Sequence, residues 1–204
     1  MRVFFIDRVQ GTMLKNMTMK RILILVFIVA LDAAVVLADT EPTSLELEQN
    51  IVRYTSLLKK DGGNAKVLNA LGFAYYRLHR MDEAMDAYKK AATSDPEYAL
   101  TYNNLGVAYL NLKEYARAED AFRTALKLDA HYTKAAYNLS VALFRQRKYL
   151  DAYTSYRLAK KIDAGYVKKR MSDSRARDEI NEELRKDPDN KLLRELAREL
   201  DAEK

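Results

Sequence analysis

Apolar residues recur at helical spacing through the middle of the chain, and the recurrence itself repeats. Over residues 65–98, Leu68, Leu71, Tyr75 and Leu78 fall on one face of a first helix. His79, Arg80 and Met81 interrupt the pattern, and Asp82 stands where it would cap a second helix. In that second helix Ala84, Tyr88 and Ala91 share a face. Asp95-Pro96 ends it, because proline cannot continue a helix and disfavours helical geometry in the residue before it.

The pattern returns with a period of 34 residues, over 99–132 and over 133–166. Leu71, Leu105 and Leu139 share a column, as do Ala84, Ala118 and Ala152. Tyr88, Phe122 and Tyr156 share another, followed by Ala91, Ala125 and Ala159. Gly72 matches Gly106, with Ser140 in the third copy, and Asp95, Asp129 and Asp163 close the copies. A fixed period of this length predicts stacked helical hairpins, each burying its apolar faces against its neighbours. Gly72 inside a helix costs roughly 1 kcal/mol against alanine. Close approach of the partner helix explains it, with Tyr88 filling the gap to the next copy.

These columns resemble the tetratricopeptide repeat, a 34-residue helix–turn–helix unit. The match is carried by Leu71-Gly72, Leu105-Gly106, Tyr75, Tyr109, Pro96 and the alanine–aromatic–alanine columns, with Tyr102 where the family usually has tryptophan. The third copy departs most, at Ala136, Ser140 and Leu143, and Ala130 and Ala164 stand in place of the proline. The resemblance implies an all-α fold, a right-handed superhelical stack of hairpins with capping helices. It also implies a concave groove lined by first helices that holds a peptide or protein segment. Its positions map onto Lys66, Asn69, Phe73, Tyr76 and Arg77 in the first copy. In the second they are Leu100, Asn103, Asn104, Val107, Leu110 and Asn111. In the third they are Lys134, Tyr137, Asn138, Val141, Phe144 and Arg145. These positions are expected to be free of the stacking columns, with amides for a peptide backbone, rings for apolar side chains and cations for a carboxylate. Some relatives grip a terminal carboxylate with an asparagine just after the first glycine. Phe73 stands there, so that clamp is incomplete.

Flanking segments follow different patterns. Residues 39–64 read as a polar linker and a capping helix, with Thr43 and Glu46 at capping-box spacing and Leu47, Ile51, Tyr54 and Leu58 on one face. Asp61-Gly62-Gly63-Asn64 reads as the turn that ends it, glycine tolerating a left-handed cap. Asn50, Tyr54 and Leu57 fall in phase with Ala84, Tyr88 and Ala91, as in the second half of a degenerate repeat. Residues 167–204 hold 22 charged residues among 38, and Asp187-Pro188-Asp189-Asn190 divides them. The spacing predicts one helix over 167–186 and another over 191–202, with Leu192, Leu193, Leu196 and Leu200 in a stripe. This pair either caps the last repeat or serves self-association or partner docking.

Residues 1–38 read as a signal peptide. Lys20-Arg21 precede an apolar run from Ile22 to Leu31, and Val36-Leu37-Ala38 offers a small-residue exit before Asp39. A start at Met17 or Met19 would give a leader of ordinary length. The alternative is an uncleaved anchor, which Asp32 would interrupt. Cleavage removes five basic and two acidic residues, lowering the net charge from +6 to +3. With acids and bases interleaved, nucleic acid is not an expected partner. The chain has no cysteine, so it has neither disulfide framework nor thiol chemistry.

No catalytic constellation emerges. The two histidines, His79 and His131, sit in turns of different copies, and no phosphate loop or zinc motif is present. The expectation is an exported, periplasmic, non-catalytic adaptor of the bacterial envelope, with no cofactor, metal or small-molecule substrate. The alternatives are an inner-membrane-anchored subunit of a secretion or pilus machine, and an accessory subunit of an envelope enzyme.

Overall fold

A computed structural model describes residues 42–60, 63–172 and 176–202. Ser44–Lys204 forms one compact unit, and the candidate leader lies outside the described residues. Among the described residues are ten helices and no strand. They are α1 (Ser44–Lys60), α2 (Ala65–Arg77), α3 (Met81–Ser94), α4 (Ala99–Asn111), α5 (Tyr115–Leu128), α6 (Thr133–Arg145), α7 (Tyr149–Ile162), α8 (Ala164–Ser172), α9 (Ala176–Lys186) and α10 (Lys191–Ala202). Each copy is one hairpin: α2–α3, α4–α5 and α6–α7.

The glycine and aromatic columns meet as their spacing requires. A Cβ on Gly72 would sit 2.6 Å from Tyr88 Cδ1, and one on Gly106 would sit 2.5 Å from Phe122 Cε1. Each aromatic ring therefore lies against the bare backbone of its own first helix, then reaches the next hairpin. Tyr88 packs with Leu105 and Ala108, and Phe122 with Leu139, Ala142 and Leu143. Tyr156 packs with Val167, Ile180 and Leu196 of the cap. Ser140, in the glycine column, turns its hydroxyl away to donate to the Tyr137 carbonyl at 2.6 Å.

Turns inside the hairpins differ from the expected capping. Asp82 lies in the first turn of α3, whose N-cap is Arg80 with no side-chain bond. The chain instead reverses through a left-handed residue in each copy: His79, Lys113 and Arg147, at φ 59°, 60° and 60°. Arg80 N–H donates to the Tyr75 carbonyl and His79 N–H to that of Tyr76, and the other copies repeat both bonds. That pair of bonds is the Schellman closure, in which glycine usually holds the left-handed position. A side chain there strains the backbone by about 1–2 kcal/mol, while glycine loses more entropy on folding. Lys113→Gly and Arg147→Gly are therefore each expected to raise stability by about 0.5 kcal/mol in urea unfolding, and Lys113→Val to lower it. A loss of stability in both glycine variants would contradict this.

At the amino-terminal side, Asn64 belongs to the following helix. Its Oδ1 accepts from Lys66 N–H at 3.1 Å and Val67 N–H at 3.2 Å, capping α2. Asp61 and Gly62 lie outside the described residues, and Gly63 is not left-handed. Leu47 and Ile51 of α1 are buried against Leu71, Ala74 and Ala87. Leu57, in phase with the fully buried Ala91, is 42% exposed. No first helix precedes α1 among the described residues to cover that position.

The carboxyl-terminal cap begins earlier than expected, at Ala164. Asp95 and Asp129 accept from the N–H two residues on, tightening a turn, whereas Asp163 accepts from Tyr166 N–H three residues on. Asp163 thus caps α8 directly. Where one helix over 167–186 was expected, α8 and α9 are assigned, and 173–175 lie outside the described residues. Leu193 and Leu196 of α10 are buried, Leu196 with Tyr153, Tyr156 and Ile180. That part of the leucine stripe is therefore consumed as a cap on the last repeat; the Leu200 side chain lies outside the described residues.

Between the second and third copies lies a polar pin. Glu119 on α5 accepts from Arg123 Nε at 2.9 Å, Gln146 Nε2 at 2.9 Å and Lys148 Nζ at 2.8 Å. The first-copy equivalent is Met85; the third-copy equivalent, Tyr153, donates its hydroxyl to Glu195 of α10. Burial pushes the Glu119 carboxyl up, but the bonds from Lys148, Arg123 and Gln146 together hold it below the ordinary carboxylate value. A carboxyl lowered on folding stabilises above its unfolded value, and that contribution is lost as pH falls through the folded one. Between about pH 5 and pH 3 the parent should lose about 1 kcal/mol more than Glu119→Gln. Parallel urea-stability curves for the two would contradict the pin.

Candidate functional site

First helices α2, α4 and α6 lie side by side and, with α8, wall an open groove of about 580 Å³. Its copy-one end carries Phe73 and Tyr76. The middle carries Asn103, Asn104, Val107, Leu110 and Asn111. The third-copy end carries Lys134, Tyr137, Asn138, Val141 and Arg145. The alternation of stacking columns with these positions on each first helix places them on the wall facing away from the second helices.

Side-chain amides cross from copy to copy in one direction. Asn138 Nδ2 donates to Asn103 Oδ1 at 3.1 Å, Asn103 Nδ2 to Asn104 Oδ1 at 3.4 Å, and Asn104 Nδ2 to Asn69 Oδ1 at 3.1 Å. Asn111 Nδ2 donates to the Tyr76 hydroxyl. Each inter-copy bond spans 35 residues, one period plus one, so the staggered stack brings neighbouring columns together. An amide carries two donors and a carbonyl, so one bond to its neighbour leaves capacity for a ligand backbone.

The expected groove residues do not all reach the groove. Lys66, Asn69, Arg77, Leu100 and Phe144 are absent from its lining. Asn69 is buried beneath Asn104, and the Arg77 guanidinium lies over the Phe73 ring at 5.9 Å. Phe144 turns into the core shared with the cap, its ring 5.6 Å from that of Tyr149 in the same hairpin. Nor are all these positions free of packing. Asn103 and Tyr137 are each 5% exposed. The Tyr137 hydroxyl donates to Met171 Sδ at 3.3 Å, and its ring meets Tyr166 edge-on at 6.1 Å.

Four lining residues were not anticipated: Tyr88 in the floor, and Tyr166, Arg170 and Glu179 from the cap. A signal for the cap residues existed. Extending the 34-residue offset once more carries Tyr137 to Met171 and Arg145 to Glu179, which are the pairs in contact. Burial pushes the Tyr166 hydroxyl up in pKa, and Arg170 partly offsets it. Arg145 Nη2 bonds Glu179 Oε1 at 2.6 Å, tying the third copy to the cap across the groove wall.

Two family models match the chain, one for the tetratricopeptide repeat over residues 99–132 and one for the TPR repeat over 80–113. The first coincides with the second copy, and the second covers α3 and α4. The chain carries tetratricopeptide repeats. Its hairpins are similar to those of solved tetratricopeptide structures. A crystal structure of MamA protein matches at 26% identity and TM-score 0.59, covering 75% of this chain and 78% of that one. Another crystal structure of MamA matches at 23% and TM-score 0.64, covering 78% and 88%, a likeness of fold alone. The first TPR of Spaghetti (RPAP3), bound to an HSP90 peptide SRMEEVD, matches at 25% and TM-score 0.50, covering 68% and 91%. No curated protein sequence matches the chain.

Proposed function

We propose that this tetratricopeptide repeat protein is a non-catalytic adaptor that holds an extended segment of a protein partner in the groove of its first helices. The observation that carries the reading is the groove itself: a continuous wall, open to solvent, with half-buried apolar residues between rungs of oriented amides. Amides pair with a peptide backbone regardless of its sequence, and Phe73, Val107 and Leu110 offer contacts to side chains. The peptide-bound RPAP3 domain, similar over most of its length, supports the same use of the fold.

A library of random nine-residue peptides panned on the immobilised protein tests this. Peptides selected on the parent should lose about tenfold in affinity on Phe73→Ala/Val107→Ala/Asn111→Ala, a variant that alters no charge and no buried stacking residue. Unchanged affinity on a variant that keeps its helical circular dichroism would sink the groove reading.

The place of action follows from the leader. Lys20-Arg21, the apolar run from Ile22 and the Val36-Leu37-Ala38 exit support export to the periplasm of a Gram-negative bacterium. Intact mass of the protein recovered from such a host should lack residues 1–38. A retained leader would favour the anchored reading, with the repeats projecting from the inner membrane.

A further inference from the structure

Resting on the groove reading above, we propose that the occupant is an acidic protein segment, and that the carboxyl-terminal cap completes its site. Lys134 and Arg170 receive the segment's carboxylates, and Phe73 and Tyr76 receive an apolar side chain at the other end.

The charges of the lining are unequal. Lys134, Arg145 and Arg170 face the groove against a single acid, Glu179, and Arg145 already holds that acid at 2.6 Å. Lys134 and Arg170 have no carboxylate partner among the described residues. Their neighbours outside the groove do: Arg147 pairs with Glu183 at 3.7 Å, and Lys186 with Glu182 and Glu183. The two groove-facing cations that Glu179 does not engage are thus left to whatever enters the groove. A concave wall focuses the field of such charges on whatever enters.

Arg170 is also held in place. Its guanidinium lies 6.0 Å from the centre of the Tyr137 ring, and Tyr137 is fixed by Met171 and Tyr166. Tyr166 and Arg170 are four residues apart on α8, on one helical face. The opposite end of the groove has no lining acid or base: Phe73 is 43% exposed, and the Tyr76 hydroxyl is engaged by Asn111. The groove is therefore aromatic at one end and cationic at the other. Packed helix axes lie about 8–10 Å apart and an extended chain advances about 3.3 Å per residue. The apolar and acidic side chains of the segment are then roughly five to eight residues apart.

Fluorescence anisotropy of the full chain with labelled nonapeptides tests this. The probe has leucine at its second position and glutamates at its seventh and eighth in a glycine–serine background; its counterparts carry glutamine or lysine in place of glutamate. The glutamate peptide should bind about tenfold tighter than the glutamine peptide, and more weakly as salt rises from about 50 to 300 mM. Arg170→Glu and Lys134→Glu should each remove that preference, and Arg170→Glu should strengthen the lysine peptide. Both positions are exposed, and circular dichroism checks that the fold persists. Equal binding of the glutamate and glutamine peptides, or indifference to Arg170→Glu, would overturn acidic recognition and leave the groove reading in place. Failure of all three peptides to bind would overturn it as well, with the random library then deciding the groove reading separately.

Discussion

Gly106→Ala should destabilise the protein by about 2 kcal/mol, although alanine is the better helix former by about 1 kcal/mol. The added Cβ would lie 2.5 Å from Phe122 Cε1 and 2.7 Å from Cδ1 and Cζ, inside any tolerable contact. Phe122 is fully buried against Leu139, Ala142 and Leu143 of the next hairpin, so its ring has nowhere to retreat. The strain therefore passes from the second hairpin into the third. Ser140→Ala is the control. That column already carries a side chain in the third copy, and the change removes one hydroxyl bond to the Tyr137 carbonyl, worth about 1 kcal/mol or less. Phe122→Leu should cost stability by itself but reduce the penalty of Gly106→Ala, because the ring atoms that clash are gone. Urea denaturation of the four proteins measures the coupling. Full additivity of the Gly106 and Phe122 changes would show that ring and glycine do not meet.

Leu193→Ala has the second large effect, a loss of about 2–4 kcal/mol from a side chain with no exposure. Its site is the cap, and α10 closes the apolar surface of Tyr153, Tyr156 and Ile180. In a linear stack each unit is stabilised by its neighbours, so weakening the end unit frays that end first. Hydrogen exchange should show α8 and α9 opening in Leu193→Ala while α2–α5 stay protected. Because α8 and α9 supply Tyr166, Arg170 and Glu179 to the groove, peptide affinity should fall in the same variant. Uniform loss of protection along the chain would mean that the cap and the repeats unfold as one.

Much of this was legible in the residues. The 34-residue period gave the hairpins, and a glycine inside a helix predicted a close approach; that the aromatic sixteen positions on, Tyr88 or Phe122, covers that glycine as well as the gap to the next copy emerged only from the packing. Three features were hidden for physical reasons. His79, Lys113 and Arg147 adopt a left-handed turn that their side chains do not advertise, because the Schellman bonds of the backbone impose it. Phe144 and Asn69 occupy groove columns by number, yet packing turns one into the core shared with the cap and buries the other beneath Asn104. Arg170 was obscured because the cap's composition departs from the repeat while its stacking offset does not: Met171 still lies where a fourth first helix would place it. Column arithmetic therefore located the wall of the groove, and only packing decided which side chains open onto it.

Site-specific photo-crosslinking in cells tests the central claim most directly. A photoreactive residue replaces either Asn111, exposed in the groove, or Leu150, 61% exposed at the start of a second helix. A groove that holds a protein segment predicts a discrete crosslinked protein from position 111 and none from position 150. A crosslink from position 150 with nothing captured at 111 would contradict it and move the binding surface to the second helices.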